Sequence, residues 1–260
     1  MISKAITTLA AVGLGVMAAG CTRDPAHARA QGHAEKKDEA RPHETTTNTR
    51  ARDGAIRTVD VPGDAEVLVV DGDPGVRRPI VHLHGMCADP RDDLEAWGDV
   101  AKEHGTIIAL IGDAPCANKP GLTQWTNDAA AIDARIQAAL GAVARARGTT
   151  FDRAELVVIG ESMGAARAER LATTFPDRYT RLVLVGSPQA PSPDNLRGAK
   201  AVANLAGENE SQENMKAGTR ALDGAGTPAR FWELPGATHG EYGPEGARIM
   251  GDALGFVGAR

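Results

Sequence analysis

Short apolar runs alternate with longer amphipathic segments from residue 67 to the C-terminus, and this alternation restricts the fold more than any other feature. The runs are brief and rich in Val, Ile and Leu, which predicts strands at 67–70, 79–84, 106–111, 155–159, 181–185, 199–206 and 229–234. The intervening segments predict helices at 92–104, 128–147, 162–175, 213–222 and 245–257. Such repeats build a mostly parallel central sheet with helices on both faces. We therefore expect a single α/β domain over residues 56–260.

The sequence Gly160-Glu161-Ser162-Met163-Gly164 lies where a predicted strand meets a predicted helix. The G-x-S-x-G pattern in this context is typical of a nucleophilic serine on a sharp strand-to-helix turn. Glycines at both flanks leave room for close backbone approach, and the helix N-terminus favours developing negative charge. Ser162 is therefore the candidate nucleophile. The alternative is a serine that only caps a helix.

A second motif, His84-Gly85-Met86, ends an earlier predicted strand. Together the two motifs resemble the α/β-hydrolase superfamily from about residue 67 to the C-terminus, and within it the lidless esterases and dienelactone-hydrolase-like enzymes. The resemblance implies an oxyanion hole formed by the backbone N–H groups of Met86 and Met163, with no metal and no cofactor. Only about 13 residues separate the strands predicted at 181–185 and 199–206, so we expect no lid domain.

The remaining triad members are expected after the last two predicted strands, because the chain order in this superfamily is serine, acid, histidine. His239 follows the strand at 229–234 in a glycine-rich loop and is the candidate base. The acid is expected just after the strand at 199–206. Glu210 stands where many relatives carry aspartate, and Glu208 is the alternative acid.

Two of the three cysteines follow neighbouring predicted strands. Cys87 comes directly after the oxyanion residue, and Cys116 lies in the loop after the next strand. We expect a Cys87–Cys116 disulfide, which is plausible in an exported protein. The alternative is a catalytic thiol at Cys87, which is disfavoured because Ser162 occupies the nucleophile's place.

The N-terminus predicts export. Residues 1–20 combine Lys4, a short apolar run and the small residues Ala18-Ala19-Gly20, as in a signal peptide. Cys21 follows directly, and the pattern resembles a bacterial lipobox, although Ala18 stands where leucine is usual. We therefore expect lipidation of Cys21 and anchoring to a bacterial cell membrane, facing the periplasm or the exterior. A plain signal peptide or an uncleaved anchor are the alternatives.

Residues 21–55 predict a disordered tether behind the lipidated cysteine. From 22 to 55 the chain has no Val, Ile, Leu, Met, Phe, Trp, Tyr or Cys, but it has seven basic and six acidic residues. Such a segment cannot bury enough apolar surface to offset the entropy lost on ordering.

The chain carries a net charge of -5, and residues 1–55 are net positive, so the folded part is more acidic than the whole. An acidic folded part argues against binding of nucleic acid, because a nucleic-acid-binding protein carries a basic surface. The leading interpretation is a serine hydrolase that cleaves an ester or related acyl bond through a Ser-His-acid triad and an acyl-enzyme. A peptidase or thioesterase would use the same triad. A catalytically inactive surface-binding lipoprotein is the alternative from another class.

Overall fold

The computed structural model describes residues 56–260. The predicted signal peptide, Cys21 and the predicted tether lie outside the described residues. The strands are β1 Arg57–Val59, β2 Val67–Val70, β3 Pro79–Leu83, β4 Thr106–Leu110, β5 Ala114–Pro115, β6 Thr123–Gln124, β7 Val157–Glu161, β8 Arg181–Val185, β9 Ala201–Gly207 and β10 Ala229–Leu234. The α-helices are α1 Pro90–Trp97, α2 Ala101–His104, α3 Ala129–Ala146, α4 Met163–Thr174, α5 Glu213–Gly224 and α6 Gly246–Gly258.

Eight of these strands form one sheet in the order β1-β2-β4-β3-β7-β8-β9-β10. The pairs from β4 through β10 are all parallel, whereas β1 and β2 join the edge in antiparallel fashion. The predicted α/β fold with a mostly parallel sheet is therefore confirmed. β5 and β6 form a separate two-stranded hairpin.

Both faces of the sheet are covered, which explains why its central strands are continuous apolar runs instead of alternating ones. In β3, for example, Val81 and Leu83 belong to one core while Ile80 belongs to the other. The first core contains buried side chains of α3, α4 and α5, and the second contains those of α1 and α6. A side chain in a central strand is thus buried whichever way it points.

The structure differs from the sequence-based expectation in three short regions. The helix predicted over 92–104 is interrupted, because α1 ends at Trp97 and Gly98–Val100 forms a 3-10 turn before α2. A Cβ at Gly98 would lie 3.2 Å from Val70 Cγ2, so the chain passes close to the sheet at this break. Strand β1 and the β5–β6 hairpin were not expected, because three and two residues are too few to show a period.

The connection between β8 and β9, residues 186–200, contains no helix or strand. A lid domain at this point is therefore absent, as expected from the short spacing. Among the described residues, no helix combines the length and apolarity needed to cross a bilayer.

Candidate active site

The candidate site lies where the carboxyl ends of neighbouring parallel strands meet. Ser162 follows β7, and the turn that begins with His84 follows the adjacent strand β3. Glu210 follows β9, and His239 follows β10. Because these strands are parallel, their carboxyl ends share one edge of the sheet, which is where open α/β sheets bind ligands. The fold therefore brings residues that are up to 155 positions apart in sequence to one place.

Ser162 sits on a strained backbone turn. Its backbone angles, a φ of 50° and a ψ of -111°, define a conformation that non-glycine residues rarely adopt. A Cβ at Gly164 would lie 1.9 Å from Leu83 O, and one at Gly160 would lie 2.4 Å from Gly164 O. The Ser162 N–H donates to Val185 O at 2.8 Å and ties the turn to β8. The two glycines are thus required by close backbone contacts, and the serine hydroxyl is raised above the strand ends.

Ser162, His239 and Glu210 form a continuous hydrogen-bonded chain. Ser162 Oγ is 2.9 Å from His239 Nε2, and His239 Nδ1 is 2.6 Å from Glu210 Oε2. The carboxylate can only accept, so Nδ1–H donates to Glu210 and Nε2 is left to accept the serine proton. The second oxygen of Glu210 accepts from the Gly207 N–H at 2.7 Å, which fixes the carboxylate.

Glu208, the alternative acid, is held elsewhere. Its Oε2 accepts from the Gly236 N–H at 2.8 Å, and the structure gives it no contact with His239. Gly186 lies close to the contact between His239 and Glu210, because an added Cβ would be 3.1 Å from His239 Cε1 and 3.5 Å from Glu210 Oε1. This glycine has a φ of +55°, so a side chain there would be strained as well as crowded. The geometry therefore favours Glu210 over Glu208 as the partner of His239.

The two predicted oxyanion donors lie beside the serine. Met163 is the first residue of α4, and Met86 lines the same cleft as Ser162 and His239. Within residues 56–260, neither of these two backbone N–H groups donates a hydrogen bond to protein. Unpaired donors next to a nucleophile are what an oxyanion would require. The Met86 side chain is largely exposed, and the Met163 side chain packs against the core.

His84 is fully buried and holds the turn that carries Met86. Its Nδ1 is 2.7 Å from Gly85 O, and its Nε2 accepts from the Gly112 N–H at 3.0 Å. Burial lowers the pKa of His84 to about 4, so the ring is neutral at physiological pH. The Trp125 indole N–H donates to His84 O at 2.8 Å and closes the turn from the other side. His84 thus acts as a structural link and not as a proton carrier.

The expected Cys87–Cys116 disulfide is present, with a Cα–Cα distance of 5.4 Å. It links the residue after Met86 to the residue that directly follows β5, in the connection between β5 and β6. Cys87 has a φ of +57°, a left-handed conformation that is uncommon for a side-chain-bearing residue. A half-cystine has no thiolate, so the alternative of a catalytic thiol at Cys87 does not fit this geometry.

Glu161 is a site residue that sequence reasoning missed. Its carboxylate is buried directly before the nucleophile, and Oε1 lies 3.9 Å from His239 Nε2. Glu161 also lines the cleft, whose volume is about 360 Å³. The other charged groups lining this cleft are mainly acidic: Asp89, Asp92 and Asp93, with Lys119 and His239 as the basic groups. The alternation of side chains along β7 could have revealed Glu161. Val157 and Ile159 predict a buried apolar residue at position 161, and the sequence has a glutamate there instead.

No metal ligand set accompanies the triad. Within residues 56–260 no group of three His, Cys, Asp or Glu side chains is arranged to hold a metal ion.

Comparison with solved structures identifies the fold. The structure is similar to esterase PE8, with a TM-score of 0.57 and 17% identity over 73% of this chain and 97% of the esterase. It is also similar to the Bacillus cereus carboxylesterase, with a TM-score of 0.54 and 17% identity over 73% of this chain and 92% of that one. The chain has the α/β-hydrolase fold. A further α/β-hydrolase neighbour is the dienelactone hydrolase from Anabaena variabilis, with a TM-score of 0.51 and 19% identity over 78% of this chain and 95% of that one. No protein-family model and no curated protein sequence matches the chain.

Within the α/β-hydrolase fold, the structure brings Ser162, His239 and Glu210 together and places Met86 and Met163 beside them. It places Glu208 against Gly236. Cys21 lies outside the described residues.

Proposed function

We propose that this protein is a serine hydrolase that cleaves an ester or a related acyl bond. The observation that carries the proposal is the chain from Ser162 Oγ through His239 to Glu210, with distances of 2.9 Å and 2.6 Å. An imidazole that accepts from a hydroxyl and donates to a carboxylate is the arrangement that activates a serine nucleophile. The similarity to esterases and a carboxylesterase adds support.

The proposed reaction has two halves. His239 Nε2 removes the Ser162 proton as Oγ attacks the carbonyl carbon, and Glu210 stabilises the imidazolium that results. The N–H groups of Met86 and Met163 hold the oxyanion of the tetrahedral intermediate. His239 then returns the proton to the leaving group, which leaves an acyl-enzyme on Ser162. Water, activated by His239, hydrolyses that ester and restores the serine.

The proposed substrates are small acyl esters or acyl groups carried on an accessible polymer. Because residues 186–200 add no lid, the site is open, and the His239 side chain is 51% exposed. The acidic lining of the cleft disfavours anionic substrates by charge repulsion. The cleft volume of about 360 Å³ is at the lower end of the range for small-molecule sites, which favours short acyl groups.

We also propose export and lipid anchoring at Cys21. Support comes from the signal-like N-terminal sequence, and from the Cys87–Cys116 disulfide, since such bonds persist in oxidising compartments.

A fluorophosphonate probe tests the enzyme proposal directly. Wild-type protein should be labelled covalently and should release product from short-chain esters. The Ser162→Ala variant should do neither while keeping its thermal unfolding transition. A parallel panel of matched esters, thioesters and amides identifies the acyl bond that is cleaved. Folded wild-type protein that neither labels nor turns over any member of the panel would refute the proposal and favour a binding role.

A further inference from the structure

Glu161 is a buried carboxylate that the proposed triad does not use. It is the last residue of β7, and it points to the same face as Val157 and Ile159, toward α1 and α6. Its side chain is only 6% exposed. Burying a carboxylate costs free energy unless a charge or hydrogen-bond donor compensates, so its surroundings require an explanation.

The site is built around this carboxylate. A Cβ added at Gly85 would lie 1.9 Å from Glu161 Oε2, so the turn that carries Met86 has room for the carboxylate only because residue 85 is glycine. On the opposite side, an added Cβ at Gly240 would lie 3.9 Å from Oε1. The turn after β3 and the loop after β10 therefore enclose Glu161 between them.

Glu161 faces the reacting nitrogen of His239. Oε1 lies 3.9 Å from Nε2, the same atom that is 2.9 Å from Ser162 Oγ. A distance of 3.9 Å is too long for a hydrogen bond, so Ser162 keeps its contact with Nε2. It is short enough for a strong charge interaction once Nε2 carries the serine proton.

The carboxyl group of Glu161 has a pKa near neutral pH. Burial, reinforced by the charges of Asp93 and Glu210, raises the pKa of Glu161 to about 7, while His239 and the Gly85 N–H act in the opposite direction. Asp93 lies on α1 and is paired with His82 at 2.7 Å, and the buried phenol of Tyr242 faces both Asp93 and Glu161. Asp89, Asp92 and Lys119 line the same cleft.

We propose that Glu161 is a positioning residue for His239, whose ionised carboxylate stabilises the imidazolium formed when Nε2 takes the Ser162 proton. This inference rests on the proposed hydrolase function. Glu161 exchanges no proton in that step, because the proton moves from Ser162 Oγ to His239 Nε2 and then to the leaving group. When Glu161 is protonated, the stabilisation is lost and only Glu210 supports the imidazolium. The two carboxylates thus act on opposite nitrogens of one ring.

The isosteric variant Glu161→Gln provides the test, with kcat/KM measured on a neutral ester from pH 5 to 9. A unit charge about 4 Å from a charge that forms in the transition state changes the rate roughly fivefold in bulk water and roughly 10³-fold at a protein surface. The half-exposed His239 is closer to the first limit, so we expect wild type to exceed the variant about tenfold at pH 9. At pH 5 Glu161 is protonated in wild type and resembles glutamine, so the ratio should approach one.

The pH dependence of the ratio of wild-type to variant kcat/KM distinguishes the proposal from a purely structural role of Glu161. A loss of packing would lower the rate of the variant by the same factor at every pH, and a ratio that is constant or rises toward low pH would overturn the proposal. Glu213→Gln, a change at an exposed position on α5, is the matched control and should give a ratio near one throughout. If wild-type protein shows no Ser162-dependent turnover, the proposed function itself fails, which is seen without the Glu161 variant.

A second measurement applies if Glu161→Gln does not fold. Wild-type protein labelled with ¹³C at glutamate side-chain carboxyls is titrated by NMR before and after phosphonylation of Ser162. We expect one carboxyl to titrate near neutrality and to move to lower pH in the adduct, where the His239 imidazolium is stabilised. If every glutamate titrates below pH 6, or if the neutral one does not move, the proposal is wrong.

Discussion

The sharpest test of the candidate triad is the exchange of its acid for the isosteric amide. Glu210→Gln keeps the size and shape of the side chain that lies 2.6 Å from His239 Nδ1, but it removes the negative charge. The amide can also present its NH₂ to Nδ1, which would stabilise the wrong tautomer and place a proton on Nε2. In that state His239 cannot accept the proton of Ser162.

The size of the effect follows from the distance and the exposure. Two unit charges 2.6 Å apart interact by about 6 kcal/mol at an effective dielectric constant of 20. The His239 side chain is 51% exposed and Glu210 only 13%, so solvent screening reduces this value. We expect about 4 kcal/mol of lost transition-state stabilisation, which corresponds to a decrease in kcat of roughly 10³-fold. Comparable exchanges in serine proteases lower kcat by about 10⁴-fold.

Steady-state hydrolysis of a chromogenic short-chain ester measures this decrease. Glu208→Gln is the matched control, because the same chemical change is made two residues away at a carboxylate that accepts from the Gly236 N–H instead of contacting His239. We expect this variant to stay within about twofold of wild type, since an amide oxygen can still accept that hydrogen bond. If Glu210→Gln keeps more than a tenth of wild-type kcat while Glu208→Gln loses most of it, the triad assignment is wrong.

Four further predictions concern the turns around the site and the N-terminus. Replacing both Cys87 and Cys116 by serine should lower the free energy of unfolding by about 3.5 kcal/mol and reduce kcat, because it opens a loop with a sequence separation of 29. Urea titrations measure the change in stability, and an unchanged stability would contradict this prediction. The pKa of Glu161 rises from 4.5 in the unfolded chain to about 7 on folding, so the folded state binds this proton more tightly. Wild type should therefore lose on the order of 3 kcal/mol of stability as the pH rises from 4.5 to above 7, whereas the stability of Glu161→Gln should not show this loss. Gly85→Ala should cost about 1–3 kcal/mol by forcing Glu161 aside, and a Glu161→Ala background should remove that cost if the contact is its cause. Incorporation of a labelled fatty acid should disappear in Cys21→Ser, and persistence would exclude lipidation at that residue.

The fold was predictable because its central strands have no exposed face. Strands such as 181–185 are buried on both sides, and their apolar runs stand out from the amphipathic helices between them. The position of the candidate triad then follows from chain order and strand ends, which is why Ser162, His239 and the segment around Glu210 could be named from sequence. The sequence favoured Glu210 but left Glu208 open, because the choice depends on which carboxylate the turn after β9 directs toward His239.

Other features depend on contacts between distant segments and leave little local signal. Glu161 occupies a position in the G-x-S-x-G pattern that the pattern leaves open, and its importance appears only when Gly85 and Gly240 close around it. The break at Gly98 depends on a close approach to Val70 of β2, 28 residues earlier. Strand β1 exists because it pairs with β2, not because three residues have a strong preference of their own.

The short connection between β8 and β9 has a consequence for the products that the proposed enzyme would form. With residues 186–200 free of helix and strand, and with half of the His239 side chain in contact with solvent, the acyl group on Ser162 would be reached directly from the medium. Water would then compete with every dissolved alcohol or amine in proportion to concentration and nucleophilicity, because no closed cavity would select the acceptor. Partitioning between hydrolysis and acyl transfer would therefore be set by the composition of the surroundings, and added methanol should divert product from acid to methyl ester.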